Sequence, residues 1–250
     1  MSNTKFALIK KAINQLYGIL LKTNKNALIY SKEKYNFHNL SFSQEGEDLV
    51  LNRLFEQQSK GFYVDVGAHH PQRFSNTYLF YLKGWRGINI DAMPGSMEIF
   101  KQLRPEDINL EIAISDNIQE LTYYQFNESA LNGFSEELSR QRDGIRREYF
   151  ILNSQKIKTQ RLSEILDYYL PQDQVIDFLT IDVEGLDYQV LKSNNWKKYR
   201  PSVVLIEMLG YGRLEDLHVT EIGRLMEKEG YKLFARTINT SFYQAYEFKT

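Results

Sequence analysis

The sequence contains no cysteine among its 250 residues. Disulfide bonds and thiolate metal sites are therefore excluded, although this absence does not fix the compartment. No apolar run approaches the length of a transmembrane helix. A signal peptide is not predicted either, because Lys10, Lys11, Asn14 and Gln15 interrupt residues 6–21 and no small-residue cleavage site is visible. From these absences we expect a cytoplasmic protein.

A strong net charge is also absent. Lys and Arg number 31 against 32 for Asp and Glu, which leaves a formal charge of −1 at pH 7. Nothing in this balance favours nucleic acid or an anionic surface as a partner. Aromatic side chains, in contrast, are abundant, with 17 Tyr and 15 Phe. They can belong to a tyrosine-rich core and surface, or to a site that stacks on a planar or sugar-like ligand.

The first 40 residues differ in pattern from the rest of the chain. Residues 5–22 place apolar side chains at helical spacing, opposite lysines, and residues 23–40 show little periodicity. A basic amphipathic helix can lie on a membrane, but we expect this one to pack on its own domain or at a homodimer interface. We therefore predict an N-terminal amphipathic helix and linker over residues 1–40 and one domain over residues 41–250.

Within residues 41–250, short apolar strands alternate with helices. Helices are predicted after an N-cap at Ser43, at about residues 75–83, 95–103, 162–170 and 214–229, and from Tyr188 onwards. Strands are predicted from Phe62 and at residues 88–91, 108–114, 120–126, 177–185, 203–207, 231–237 and 241–248. This alternation predicts an α/β fold with a mainly parallel sheet, helices on both faces and an antiparallel C-terminal hairpin.

One long segment, residues 127–153, interrupts the alternation without a regular pattern of its own. It is polar and charged, and it carries Arg140, Arg142, Arg146 and Arg147. Insertions of this kind in a compact domain are usually functional or mobile. The segment is either a solvated loop or a lid over the substrate.

Four of the predicted strands end in acidic residues: Asp65, Asp91, Asp182 and Glu207. Parallel strands bring their carboxyl ends to one edge of the sheet, which is where open α/β sheets bind ligands. Four acids at such positions are costly to desolvate unless they meet ligands, cations or hydrogen-bond donors. The pattern therefore predicts one cleft at this edge.

The ligand of that cleft is not expected to be a dinucleotide. A pyrophosphate-binding turn needs three glycines, whereas only Gly67 follows the first strand and His69, His70 and Pro71 crowd the rest of the turn. An adenosine ligand without phosphates remains open. S-Adenosylmethionine fits best, because its positive charges tolerate nearby carboxylates and Asp91 is placed to bind the ribose hydroxyls.

Five motifs in this order resemble the FkbM-type methyltransferases, which are S-adenosylmethionine-dependent enzymes of the class I methyltransferase (Rossmann-like) fold. The motifs are SQEGED at residues 43–48, VDVGA at 64–68, SNT at 75–77, GWRG at 84–87 and IDVEG at 181–185. The resemblance covers about residues 40–238. It implies a seven-stranded sheet with a reversed final strand, and methyl transfer to a hydroxyl, commonly on a sugar, a polysaccharide precursor or a polyketide.

The resemblance also implies roles for individual residues. Asp182 and Glu184 would face the transferring methyl group and the acceptor. The implied cofactor-binding residues are Gln44, Asp65, Gly67, Ala68, Asp91, Ser115, Asp116 and Asp182.

The histidine pair departs from the family pattern, since many members carry Asn followed by Asp or Gly at these positions. A histidine near the methyl group could act as the general base that deprotonates the acceptor hydroxyl, and we favour His70 for this role. The histidines could instead only hydrogen-bond the backbone or the cofactor. A divalent metal, Mg²⁺ or Mn²⁺, held by Asp182, Glu207 and His70 is a further possibility.

The leading hypothesis is therefore an O-methyltransferase that acts on a sugar or polysaccharide precursor of a capsule or surface-glycan pathway. The arginines of segment 127–153 suggest a phosphorylated or carboxylated acceptor, such as a nucleotide-linked sugar, although a solvated loop explains them equally well. A non-catalytic cofactor-binding scaffold that docks a partner biosynthetic enzyme is the alternative. An enzyme that uses a nicotinamide cofactor is disfavoured by the missing glycines.

Overall fold

The computed structural model describes residues 39–210 and 213–249. The predicted N-terminal helix lies outside the described residues, and so does the dimer interface expected from it. Among the helices that are described, none is long and apolar enough to cross a membrane.

The described chain alternates strands with helices, as the sequence predicts. In chain order the strands are β1 (Phe62–Val66), β2 (Arg86–Asp91), β3 (Ile108–Glu111), β4 (Ala113–Ile114), β5 (Glu120–Phe126), β6 (Ile151–Gln160), β7 (Phe178–Ile181), β8 (Val203–Glu207), β9 (Tyr231–Arg236) and β10 (Thr240–Ala245). The α-helices are α1 (Glu47–Leu54), α2 (Tyr78–Leu82), α3 (Met97–Leu103), α4 (Glu136–Arg142), α5 (Leu162–Tyr169), α6 (Asp187–Ser193) and α7 (Glu221–Lys228).

Seven strands form one sheet in the order β3-β2-β1-β7-β8-β10-β9. The pairings from β3 through β8 are parallel, and β10 runs antiparallel to both of its neighbours. This confirms the predicted mainly parallel seven-stranded sheet with an antiparallel C-terminal hairpin. The chain leaves β1 towards β2 on one side and returns to β7 on the other, so the strand order reverses between β1 and β7. Open α/β sheets bind their ligands at such a reversal.

Helices cover both faces of this sheet because alternate residues of each strand point to opposite sides. Val64 of β1 belongs to a core cluster with Leu162 of α5 and Met226 of α7. Tyr63, one residue earlier, belongs to a second cluster with Leu51 of α1. The sheet therefore lies between two apolar layers, and its carboxyl-terminal edge is the part left open for a site.

Two predicted elements are each divided in the structure. Residues 108–114 are not one strand: β3 joins the large sheet, whereas β4 pairs with β6 in a separate three-stranded sheet. The predicted helix over residues 214–229 consists of a 3₁₀ helix, Leu214–Val219, followed by α7. Thr220 separates the two because its hydroxyl accepts a hydrogen bond from the Gly223 amide at 2.9 Å and so caps α7.

The N-terminal end of α1 also differs from the prediction. Ser43 is not the N-cap; Gly46 holds that position with a φ of 89°. The Ser43 hydroxyl donates to the Asp48 carboxylate at 2.9 Å and accepts from the Asp48 amide at 3.3 Å. These bonds order the turn that precedes α1.

Segment 127–153 has more regular structure than its sequence predicts. It contains a 3₁₀ helix (Ser129–Leu131), α4 and a second 3₁₀ helix (Ile145–Arg147), and β6 begins at Ile151. Strand β6 pairs antiparallel with β5, but half of its side chains are exposed and only Thr159 is buried. It therefore lacks the apolar alternation by which a strand is detected in a sequence.

Candidate active site

A cavity of about 400 Å³ opens at the carboxyl ends of β1, β2, β7 and β8. This volume lies within the range of small-molecule sites, about 300–1,000 Å³. Several residues that the sequence analysis singles out line it: Gln44, Gly67, His69, Asp91, Asp182, Glu184 and Glu207. The structure does not place Asp65, Ala68, His70, Ser115 or Asp116 among the lining residues.

Gly67 lets the two central strands approach each other below this cavity. Its φ is 87°, and a Cβ atom added there would lie 1.7 Å from the carbonyl oxygen of Asp182. Any side chain would push the end of β1 away from the end of β7. Glycine is therefore required at this position for both its backbone conformation and the close packing.

Asp91 is held in place by backbone donors at the end of β2. One carboxylate oxygen accepts from the His69 amide and the other from the Met93 amide, each at 2.8 Å. Burial raises the pKa of Asp91. Each oxygen of a carboxylate has a second lone pair, so Asp91 can still accept hydrogen bonds from a ligand's hydroxyl groups.

Beside Asp91 the cavity wall is apolar. Ile90, Ile114 and Tyr123 line it together with Phe134, whose ring centre lies 4.9 Å from that of Tyr123. An apolar wall next to a carboxylate that can still accept hydrogen bonds suits the nucleoside part of S-adenosylmethionine.

Three carboxylates also line the cavity. One oxygen of each of Asp182, Glu184 and Glu207 lies within 4.8 Å of those of the other two. Glu184 has a φ of 53°, a left-handed conformation that is uncommon for a residue with a side chain. The turn is stabilised by Asp187, whose carboxylate accepts from the amides of Val183 and Gly185 at 3.1 and 3.2 Å.

Proximity and burial make these carboxylates harder to ionise. Desolvation, followed by the charges of Glu184 and Asp187, raises the pKa of Glu207 to about 7. Desolvation and the charge of Glu207 also raise the pKa of Asp182. The Asp182 side chain keeps an exposed side that faces the cavity, so water offsets part of this effect. Glu207 therefore exchanges protons near neutral pH, as a general base must.

Segment 127–153 forms the wall next to these acids. Nη2 of Arg142 lies 2.8 Å from Oε2 of Glu184, and a Cβ atom added at Gly133 would lie 2.9 Å from that of Glu184. At the cavity mouth, Arg73 makes two hydrogen bonds to Glu128 at 2.9 and 3.2 Å. The segment thus lines the cavity and is tied to two strand-end turns.

The two histidines have different surroundings. His69 lines the cavity, and its Nε2 atom is buried without a hydrogen-bond partner among the described residues. Burial, and then the charge of Arg73, lowers the pKa of His69 to about 4. Nδ1 of His70 instead accepts from the backbone amides of Gln72 and Arg73 at 3.1 and 3.0 Å, so His70 orders the turn. The structure also does not bring His70 into the carboxylate group that could hold a metal.

Three further predicted site residues contact other parts of the protein. Asp65 accepts from the Thr77 hydroxyl at 2.9 Å below the turn, and burial raises its pKa to about 6 despite the nearby charge of Arg104. Asp116 forms an ion pair with Lys192 at 2.8 Å. Ser115 is buried.

Several cavity residues were not identified from the sequence. Arg73, Tyr123, Asn132 and Asn239 line the cavity, but none of them ends a parallel strand. Asn239 lies in the turn between β9 and β10, where both of its nitrogens donate to Glu45, at 2.9 and 2.8 Å. Contacts between elements so distant in sequence leave no local pattern.

Two comparisons found known proteins that are similar to this chain. The model of the family described as "Methyltransferase FkbM domain" matches residues 65–233. A crystal structure of a TehB-like SAM-dependent methyltransferase from Corynebacterium glutamicum is similar at 10% sequence identity, with 90% of this chain and 98% of that chain covered and a TM-score of 0.39. We draw no conclusion from a similarity with a TM-score this low. No curated protein matches the sequence significantly.

Proposed function

Because the chain belongs to the family of the methyltransferase FkbM domain, we propose that it transfers a methyl group from S-adenosylmethionine to a hydroxyl of a sugar or polysaccharide precursor. The observation that carries this proposal is the group of three carboxylates, Asp182, Glu184 and Glu207, beside the glycine turn. An alcohol is a poor nucleophile until it loses its proton, and this group supplies proton acceptors where the cofactor and the acceptor would meet.

The cofactor would lie with its ribose against Asp91 and its adenine against the apolar wall of the cavity. When bound, S-adenosylmethionine supplies an electrophilic methyl group. Gly67 keeps the floor of the site free of side chains, and Asp182 offers a negative charge to the positively charged methionine part. These roles rest on the positions of the residues in the cavity.

Glu207 is the residue we propose as general base. With a pKa raised to about 7, its carboxylate can accept the hydroxyl proton near neutral pH and later release it to water. Polar groups on the cavity wall, including Asn132, Asn239 and Glu128, suit an acceptor rich in hydroxyls.

A nucleotide-linked sugar is one candidate acceptor. Arg73 and Arg142 line the cavity, whereas Arg140 is exposed and pairs with Glu136 in α4. The two cavity arginines are already paired with carboxylates, so an anionic acceptor would have to compete with Glu128 or Glu184. A neutral sugar could bind without displacing either of these ion pairs.

The proposal is tested with the full-length protein. S-Adenosylhomocysteine binding is measured by calorimetry, and methyl transfer from labelled S-adenosylmethionine is measured across a panel of sugars and sugar nucleotides. We expect Glu207→Gln to lower kcat about 100-fold or more, in line with the loss of a general base, without changing the affinity for S-adenosylhomocysteine.

Glu215→Gln, at an exposed position, is the control and should behave as the wild type. A Glu207→Gln variant with unchanged kcat would remove Glu207 from this role. Binding of S-adenosylhomocysteine without turnover of any acceptor would favour the non-catalytic scaffold.

The same assay distinguishes base catalysis from metal catalysis. Carboxylate oxygens are the ligands that Mg²⁺ and Mn²⁺ prefer, but Arg142 already supplies a positive charge to this group. We therefore expect EDTA to leave the rate unchanged. A loss of activity that Mn²⁺ restores would show that a metal activates the acceptor hydroxyl instead.

A further inference from the structure

We propose that Arg142 is a positioning residue for methyl transfer: through its ion pair with Glu184 it fixes the turn that carries the carboxylates and balances their charge. This inference rests on the proposed function, since it concerns the same site. Arg142 belongs to α4 in the inserted segment, and it is far in sequence from all three carboxylates.

The ion pair is shielded from solvent. Nη2 of Arg142 lies 2.8 Å from Oε2 of Glu184, and the two side chains are only 19% and 15% exposed. The Arg140–Glu136 pair on the same helix is 75% and 60% exposed. A shielded pair interacts more strongly than an exposed one, and removing one partner leaves the other charge buried and unpaired.

The backbone next to this ion pair has an unusual conformation and is closely packed. Glu184 has a left-handed φ of 53°, and the next residue, Gly185, packs so closely on Ser135 that an added Cβ atom would lie 2.9 Å from the Ser135 Cβ. The Ser135 hydroxyl caps α4 by accepting from the Leu138 amide at 3.2 Å. Helix α4 therefore packs directly on the turn that carries Glu184, and the Arg142–Glu184 ion pair connects the two.

Among the described residues, the charges that act on this group of acids come from four elements. Asp182 and Glu184 follow β7, Asp187 begins α6, Glu207 ends β8 and Arg142 ends α4. Four of these five groups are acids. Without the guanidinium, their mutual repulsion would keep the proton on Glu207 at neutral pH, because a nearby opposite charge favours ionisation of a carboxyl and like charges oppose it.

The first test compares Arg142→Gln with Arg140→Gln, its matched control from the same helix. In Arg142→Gln we expect the acidic limb of the pH profile of kcat to move to higher pH by about one unit, because the loss of a nearby opposite charge disfavours the ionised form of Glu207. The KM for S-adenosylmethionine should stay within about twofold. Arg140→Gln should leave the profile unchanged. An unshifted acidic limb in Arg142→Gln would overturn the proposal.

A second variant separates charge from packing. Arg142→Lys keeps the positive charge, so its acidic limb should stay near that of the wild type, even where Arg142→Gln fails to fold. A shift in Arg142→Lys as large as one pH unit would contradict the charge-balancing role.

A third measurement needs no acceptor. Carboxyl-carbon NMR titration of protein labelled at its glutamates should show the Glu184 and Glu207 midpoints moving to higher pH in Arg142→Gln and not in Arg140→Gln. Unmoved midpoints would refute the role of Arg142, whereas absence of turnover with every acceptor would count against the proposed function alone.

Discussion

Glu207 and His69 line the same cavity, but burial moves their proton equilibria in opposite directions. It raises the pKa of Glu207 to about 7 and lowers that of His69 to about 4, because in each case it disfavours the charged form. At neutral pH His69 is therefore uncharged, and Glu207 is the group that exchanges a proton. For this reason we assign the base role to Glu207, although the sequence pointed to a histidine.

The histidine pair supplies a prediction at the scale of one residue. His69→Ala should lower the affinity for S-adenosylhomocysteine about fivefold: His69 lines the cavity, and its Nε2 atom has no partner among the described residues, so the variant would lose a hydrogen bond to the ligand worth about 1 kcal/mol. His70→Ala should leave the affinity nearly unchanged and lower the free energy of unfolding by about 1 kcal/mol, since two backbone amides lose their acceptor.

Calorimetry and thermal melting of both variants check this prediction. A His70→Ala variant that melts like the wild type but has a lower kcat would contradict it and would restore His70 as the catalytic histidine.

At the scale of elements, the insertion between β5 and β6 behaves as part of the site. It is joined to β5 by an isolated bridge between Tyr124 and Gly133, and it packs on the turn after β7. The solvated-loop interpretation of residues 127–153 is therefore not supported for the part that lines the cavity. That segment 127–153 moves as a lid over the substrate stays a prediction.

Gly133→Ala tests this packing. A Cβ atom there would lie 2.9 Å from the Cβ and 3.0 Å from the carbonyl oxygen of Glu184, so the Glu184 turn must shift. A displacement of a catalytic group by about 1 Å can cost about 100-fold in rate, and we expect kcat to fall by at least tenfold.

Gly144→Ala is the matched control for that variant. It strains a φ of 80° in the same segment but meets no atom within 4 Å. It should therefore lower the melting temperature and leave kcat unchanged. Equal kcat values for the two variants would contradict the packing argument.

At the scale of the whole molecule, the carboxylate group costs stability. The folded-state pKa of Glu207, about 7, lies above the ordinary value of about 4.3 for an unfolded chain. The folded state therefore binds more protons than the unfolded state between these values, and the contribution of Glu207 to stability falls as the pH rises through this range. Active sites often carry such a cost.

Glu207→Gln should consequently be more stable than the wild type at high pH. We expect a gain of about 3.5 kcal/mol in the free energy of unfolding at pH 8 and almost none at pH 4, since each unit of pKa shift corresponds to about 1.4 kcal/mol. Denaturant titrations at both pH values measure it, with Glu215→Gln as the control. A gain that does not vary with pH would contradict the raised pKa.

Much of this protein could be predicted from its sequence because the signals are local. Strand β8 lies at the predicted residues 203–207, since a short β-branched run is readable within a few positions. Gly67 was identifiable for a similar reason, as a glycine directly after a buried strand. Strand β6 escaped detection because only one of its ten side chains is buried.

The sequence by itself determined that acids stand at the carboxyl edge of a parallel sheet. Only the tertiary structure decided which of them meet. Asp91, Asp182 and Glu207 reach the cavity, but Asp65, one residue before the end of β1, lies below the turn under Thr77. The approach of Arg142 to Glu184 was decided in the same way, because packing between distant segments sets such contacts and no sequence period encodes them.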